Sequence, residues 1–359
     1  MHNPMLMEHS TIPIEPCWHT AKNAIKALTL LTTTLILAAC QGRHHCFTPE
    51  ERREADSIVA KAQSVEALAK LQTQLEKEGK LLASVVALRE WGKALRDESR
   101  FEESLRVHSK GLQQAEALGD TIEWVLALNY IGTNYRRLGV LDAAQTYHYR
   151  ALRLSEECTD TCWQAKKNRA KSLNGLGNIY MTLGNYERAD SVLRAALADE
   201  QQLGSDVGQA IDFANLGSVA RKQGKTDTAW TFYQQSMSFN RRANNMLGVA
   251  LCHTAFGEMY QDAKLYDKAY VEFQTAYEQL RESKDEWHAL QPLLALVSID
   301  YNTGNVATAF ENLQRAKAIA EKIKSKEHLA DVYLQLYRIY ERQGDYRAAL
   351  EVFKERQLL

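Results

Sequence analysis

Two cysteines four residues apart, in the run Cys158-Thr159-Asp160-Thr161-Cys162, are the first candidates for chemistry. In a helix this spacing sets both sulfurs on one face, and in a loop it keeps them close. A disulfide is the first reading and two free thiols the second. A metal pair comes last, because two ligands are too few to hold zinc. The spacing is not Cys-x-x-Cys, which argues against a redox enzyme. His44 and His45 precede Cys46 and suggest a metal site, yet no further ligand is framed nearby, so a flexible tether is expected. His108, His148, His253, His288 and His328 are spread along the chain. His108 and His148 stand where the corresponding segments hold Tyr or Phe, so both are read as structural. Cys252 reads as a small buried hydrophobe. The sequence has no dinucleotide-binding glycine loop, no P-loop and no His-Glu-x-x-His. A non-enzyme without cofactor or metal is expected.

The elements that position these residues are helical. Hydrophobic residues make up 45% of the 359 and charged residues 25%, a folded composition. The formal net charge of -1 offers no basic face, so no nucleic-acid partner is expected. Thr48, Pro49, Glu50 and Glu51 read as a helix start, with a cap, proline at the first position and acid in the first turn. Apolar residues at Ile58, Ala62, Val65, Leu68 and Leu71 keep a near-helical period, and Gly79 ends it. One or two capping helices are predicted over 50–84.

From residue 85 a pattern recurs, mostly every 40 residues. Trp91-Gly92, Ile131-Gly132, Leu176-Gly177, Leu216-Gly217 and Phe256-Gly257 open successive units. Twelve residues after each glycine comes a small residue: Ser104, Ala144, Ala189, Ala229 and Ala269, with Ala309 and Ala349 in two further units. A turn glycine stands five before it in most units, and a second small residue seven after it. Small residues let two helices approach, and large ones such as Tyr180, Tyr233, Tyr260, Phe273, Tyr340 and Phe353 fill the gaps.

The stretches 177–197 (GNIYMTLGNYERADSVLRAAL) and 337–353 (YRIYERQGDYRAALEVF) resemble the tetratricopeptide repeat. The resemblance implies an all-α, right-handed superhelical solenoid of antiparallel helix pairs, with seven units over 85–359. The family's usual unit is 34 residues, so each helix is expected to be about one turn longer. One interval, between the second and third units, is 45. The arrangement is also similar to the extracytoplasmic sensor halves of kinases and regulators in Bacteroides-like bacteria. The sequence ends at Leu359, inside the second helix of the seventh unit.

Lys22 and Lys26 precede the apolar run Ala27–Ala39, which at 13 residues is short for a membrane span and suits an export signal. Leu37-Ala38-Ala39-Cys40 resembles a bacterial lipoprotein signal. That implies cleavage of 1–39, lipidation of Cys40, a tether over 40–49, and attachment to the cell envelope. Gln41 follows in place of the inner-membrane retention aspartate, so the outer membrane facing the periplasm is expected.

In family register the first helix of each unit lines a concave groove. That assigns Arg89, Lys93 and Arg96 in the first unit, Asn129, Thr133 and Arg136 in the second, Asn174 and Asn178 in the third, and Ser218 and Arg221 in the fourth. Thr254, Glu258 and Gln261 follow in the fifth. Arginine forks suit carboxylates and asparagine amides suit a peptide backbone. A protein or peptide ligand of acidic or C-terminal-carboxylate character is expected. The family's carboxylate-clamp order of basic residues is not matched. The leading function is a lipid-anchored binding scaffold, and the alternative is the sensor region of a signalling regulator.

Overall fold

Thr48 opens the first helix as the sequence predicts: its hydroxyl accepts from the Glu51 amide, and the Glu51 carboxylate accepts from the Thr48 amide at 2.8 Å. This reciprocal box satisfies two amide donors that the helix itself leaves unpaired. A computed structural model describes residues 47–157, 163–283 and 285–359. Among the described residues every regular element is an α-helix. Cys40, Cys46, Cys158, Cys162 and the apolar leader lie outside the described residues.

Helices α1 (Pro49–Val59) and α2 (Val65–Lys77) precede seven pairs. The pairs are α3 (Leu81–Asp97) with α4 (Phe101–Leu118), α5 (Thr121–Arg137) with α6 (Leu141–Glu157), and α7 (Trp163–Thr182) with α8 (Tyr186–Gln202). Next come α9 (Asp206–Lys222) with α10 (Thr226–Arg242), α11 (Met246–Asp262) with α12 (Tyr266–Glu282), and α13 (Glu286–Thr303) with α14 (Val306–Lys322). The last pair is α15 (Lys326–Gln343) with α16 (Tyr346–Gln357). The first pair opens at Leu81, four residues ahead of the boundary read from the repeat register. Most helices have 17 residues, and three-residue connections between them complete the 40-residue unit. The longer interval leaves α7 with 20 residues.

The repeat glycines work through side chains sixteen residues later. A Cβ on Gly217 would meet the Tyr233 ring at 2.7 Å, and one on Gly257 the Phe273 ring at 2.7 Å. Gly92 and Gly132 face His108 and His148 in the same way. The two imidazoles therefore fill the aromatic slot, as their register predicts, and each is about 1% exposed. Where the glycine gives way to Val297 or Tyr337, the residues sixteen later are Leu313 and Phe353, and the Tyr337 and Phe353 rings lie 6.2 Å apart. The small residues Ser104, Ala144, Ala189, Ala229, Ala269 and Ala309 are fully buried. The first helices of successive pairs touch one another along the array, as α3 does α5 and α5 does α7. That makes the first-helix row the tighter one, on the inner side.

Candidate ligand groove

Most of the inner polar residues are struts between repeats. The Arg89 guanidinium donates to Asp56 at 2.7 Å, to Glu90 at 3.0 Å and to Glu123 of the next pair. Burial acts to lower its pKa, but Glu123 and Glu90 outweigh it and hold the group above its ordinary value. Arg221 donates twice to Asp262, at 2.6 and 3.2 Å, and once to Glu258. Gln291 reaches Glu258 at 2.7 Å from the following pair. The Asn174 amide donates to Asp212, while its oxygen accepts from Asn178 at 3.0 Å and Asn215 at 2.8 Å.

Several residues assigned to the groove are thus already engaged. Asn129 corrects the register most clearly: it is 3% exposed, donates to the Ser172 hydroxyl at 2.9 Å and pairs with His148 Nδ1 at 2.9 Å. It sits between helices because the approach of α5 and α7 buries that position, and it is not a groove residue. Arg89, Asn174, Asn178 and Arg221 point their donors at neighbouring repeats or at one another, so they brace the wall. Lys93, 3.2 Å from Glu90, and Arg96, 3.2 Å from Asp97, are more loosely held. The Arg136 side chain makes no hydrogen bond or ion pair to any described residue, while its carbonyl oxygen accepts from the Gly139 amide at 3.0 Å.

At the N-terminal end of the inner face a cavity of about 810 Å³ opens. Val86, Ile122, Leu126, Tyr130 and Trp163 supply apolar walls, with Lys93 and Lys171 among its cations. Tyr130 stacks on His108 with ring centroids 4.9 Å apart. Arg96 and Lys171 sit 5.3 and 5.5 Å from the same ring. Such cation–ring contacts are worth about 0.5–1 kcal/mol when exposed. Lys171 has no acidic partner among the described residues. Sequence reading missed it, although a signal existed: Val86, Leu126, Ile211 and Leu251 hold the corresponding positions in other repeats, so a lysine there interrupts an apolar column.

No pattern in the sequence announces a seam between distant repeats. The Arg137 guanidinium lies 3.2 Å from the Trp287 ring centroid and 3.2 Å from His288 Nε2. His288 Nδ1 is 2.6 Å from Asp285. Burial pulls the His288 pKa down, and the Asp285 bond opposes it only in part. A cavity of about 280 Å³ lies alongside, lined by Arg96, Arg137, Leu247, Asp285, Trp287 and His288 among others.

The tetratricopeptide repeat model matches residues 168–242 and 288–356. No curated protein matches the chain. Among solved structures, a Rap protein complexed with Competence and Sporulation Factor is 16% identical with a TM-score of 0.65, covering 86% of each chain. The Rap conjugation gene regulator of plasmid pLS20, in complex with the Phr* peptide, is 14% identical with a TM-score of 0.63. That match covers 79% of this chain and 75% of the other. A STAND signal-transduction ATPase with a tetratricopeptide repeat sensor, from Pyrococcus horikoshii, is 15% identical with a TM-score of 0.50. There the match covers 82% of this chain but 43% of the other.

Proposed function

We propose that this chain, whose residues 168–242 and 288–356 match the tetratricopeptide repeat, is a non-enzymatic scaffold binding a protein or peptide along its inner helix row. One observation carries the reading: the cavity of about 810 Å³ joins apolar and aromatic walls to Lys171, a cation without an acidic partner among the described residues. Convergent polar groups beside apolar walls are what a ligand site needs. Five cations line it, Arg52, Arg53, Arg89, Lys93 and Lys171, against three acids, Asp56, Glu90 and Glu123, an excess that favours a peptide carrying carboxylates beside apolar side chains. The two Rap structures were solved with a peptide or a sporulation factor, which agrees with this use of the fold. Calorimetric titration of the full chain with acidic and neutral peptides tests it. Preference for the acidic peptides, weakened by Lys171→Ala, is expected, and equal, negligible affinity for both would sink the reading.

The anchor belongs to the same proposal. Leu37-Ala38-Ala39-Cys40 supports lipidation at Cys40 and attachment to the outer membrane on its periplasmic side. Two or more acyl chains hold a protein stably, where one does not. The Cys40→Ser chain should leave the membrane fraction and lose incorporated fatty acid; retention of both would refute the anchor. A sensor role is the second reading, favoured by the seam at Arg137 and Trp287, which gives the array a contact that ligand could make or break.

A further inference from the structure

Ile122, Leu126 and Tyr130 on α5 and Lys171 on α7 line the groove cavity of about 810 Å³. Leu126 and Lys171 hold the same register position, and the column continues as Ile211 on α9 and Leu251 on α11. One helical turn earlier stand Val207 and Leu247, the counterparts of Ile122. Successive first helices touch along the array, so these four side chains face the same groove. Leu247 also lines the cavity of about 280 Å³ at the seam, in keeping with that inward direction. In this column Val86 and Leu126 are covered, whereas Ile211 is 46% exposed, with Val207 at 41% and Leu247 at 40%. Leu251 is half-buried. A contiguous apolar patch left open on a folded chain marks an interaction site.

No free acid competes from the helices that carry the patch. All four acids of α9 and α11 are bonded within the chain: Asp206 accepts from Arg242 at 2.6 Å, Asp212 from Asn174, and Glu258 and Asp262 from Arg221. Lys171 borders the patch from α7, without an acidic partner among the described residues. Lys167, one turn earlier, is taken by Glu200 at 2.6 Å and Ser205 at 2.7 Å. The column thus runs apolar, cationic, apolar from the second repeat to the fifth. Helices in contact lie about 8–10 Å apart, and an extended chain advances about 3.3 Å per residue. One repeat step therefore matches about three residues of an extended ligand. In a helical ligand the same three residues advance only about 4.5 Å, half a step.

We propose that the groove takes an extended peptide segment whose carboxylate is flanked, about three residues away on each side, by large apolar side chains. The carboxylate pairs with Lys171. One apolar side chain packs on Tyr130, and the other covers Ile211 with Val207, Leu247 and Leu251. This spacing rests on the peptide-binding reading above and adds to it the order of the ligand's side chains.

Isothermal titration of the full chain with end-blocked peptides provides the test. The probes carry Leu-Ser-Ser-Glu-Ser-Ser-Leu, the same residues with Leu-Glu-Leu made consecutive, and the spaced form with Lys in place of Glu. The spaced acidic peptide should bind about tenfold or more tightly than the consecutive one. Ile211→Gln and Leu247→Gln should each erase that advantage. Both side chains are exposed, so the variants should fold, which far-UV circular dichroism checks. Lys171→Glu should reverse the charge preference and select the lysine peptide, an exchange that a purely structural lysine would not give. Equal binding of the spaced and consecutive acidic peptides, unchanged by Ile211→Gln and Leu247→Gln, overturns the spacing and leaves the peptide reading standing. No uptake of any peptide overturns both, and a dimer seen by sedimentation and lost in Ile211→Gln would then assign the patch to a second copy of the chain.

Discussion

Arg137, at the end of α5, stacks its guanidinium on the indole of Trp287, at the start of α13, and so joins the second repeat to the sixth. Consecutive repeats contact only neighbours in a simple solenoid. Here the accumulated rotation brings distant repeats face to face. A desolvated cation–ring contact contributes about 2 kcal/mol. The unmade bond on Arg137 Nη1 costs about 1–3 kcal/mol. Because these nearly offset, Arg137→Ala should open the seam with little change in stability. Small-angle scattering should show a larger radius of gyration, with the thermal midpoint moved by only a few degrees. An unchanged radius would show that the seam does not depend on this pair.

His108 and His148 make stability depend on acid. Burial lowers both from 6.5 to about 3. Each is therefore neutral in the folded chain but takes a proton in the unfolded chain below about 6.5. The unfolded state then binds more protons, so stability is present above pH 6.5 and drains away as pH falls toward 3. The slope is about 1.4 kcal/mol per pH unit for each histidine. His108→Phe should remove one such increment, because Phe273 already fills the equivalent slot against Gly257. Urea unfolding at pH 7 and pH 5 should show the variant gaining about 2 kcal/mol on the parent at the lower pH. Parallel losses in the two proteins would contradict a buried neutral His108.

The fold was legible because it is periodic. Gly92, Gly132, Gly177, Gly217 and Gly257 and the small residues twelve later announce helix pairs, and each makes the close contact its size permits. Ligand residues were less legible, since repeat register places a residue on a helix face but not its hydrogen bonds. Asn129 and Asn174 hold the same register position in successive repeats, yet one is buried against Ser172 and the other donates to Asp212. Lys171 was readable as a break in an apolar column. The Arg137–Trp287 contact was not, because it depends on small rotations summed over four repeats.

Gly217 and Gly224 should respond differently to the same change. A Cβ at Gly217 meets the Tyr233 ring at 2.7 Å, and that ring is 1% exposed, so it has little room to move. Gly217→Ala is expected to cost about 1–3 kcal/mol through overpacking. Gly224 has open space but a φ of +73°. Ser99 and Lys264 adopt φ of 60° and 59° at equivalent turns, so Gly224→Ala should cost only about 1 kcal/mol. Chemical unfolding of both variants checks the order, and a larger loss at Gly224 would reverse the assignment of packing and turn roles.

Asp212 should weaken the fold at alkaline pH. Burial first, then the charge of Glu200, pushes its carboxyl from 3.8 up to about 8, against the bond from Asn174. The folded chain thus holds a proton that the unfolded chain releases near pH 4. Stability from this group is full below that value and is lost as pH rises toward 8. The Asp212→Asn variant keeps a side-chain oxygen for the Asn174 amide and carries no charge to bury. The buried Oδ2 of Asp212 already lacks a partner, so the substituted amide forfeits no existing bond. The variant should match the parent near pH 4 and gain on it by about 1.4 kcal/mol per unit up to pH 8. Unfolding curves at pH 5, 7 and 9 decide this, and a gap between the two proteins that stays constant with pH would mean the carboxyl is ionised in the folded chain throughout.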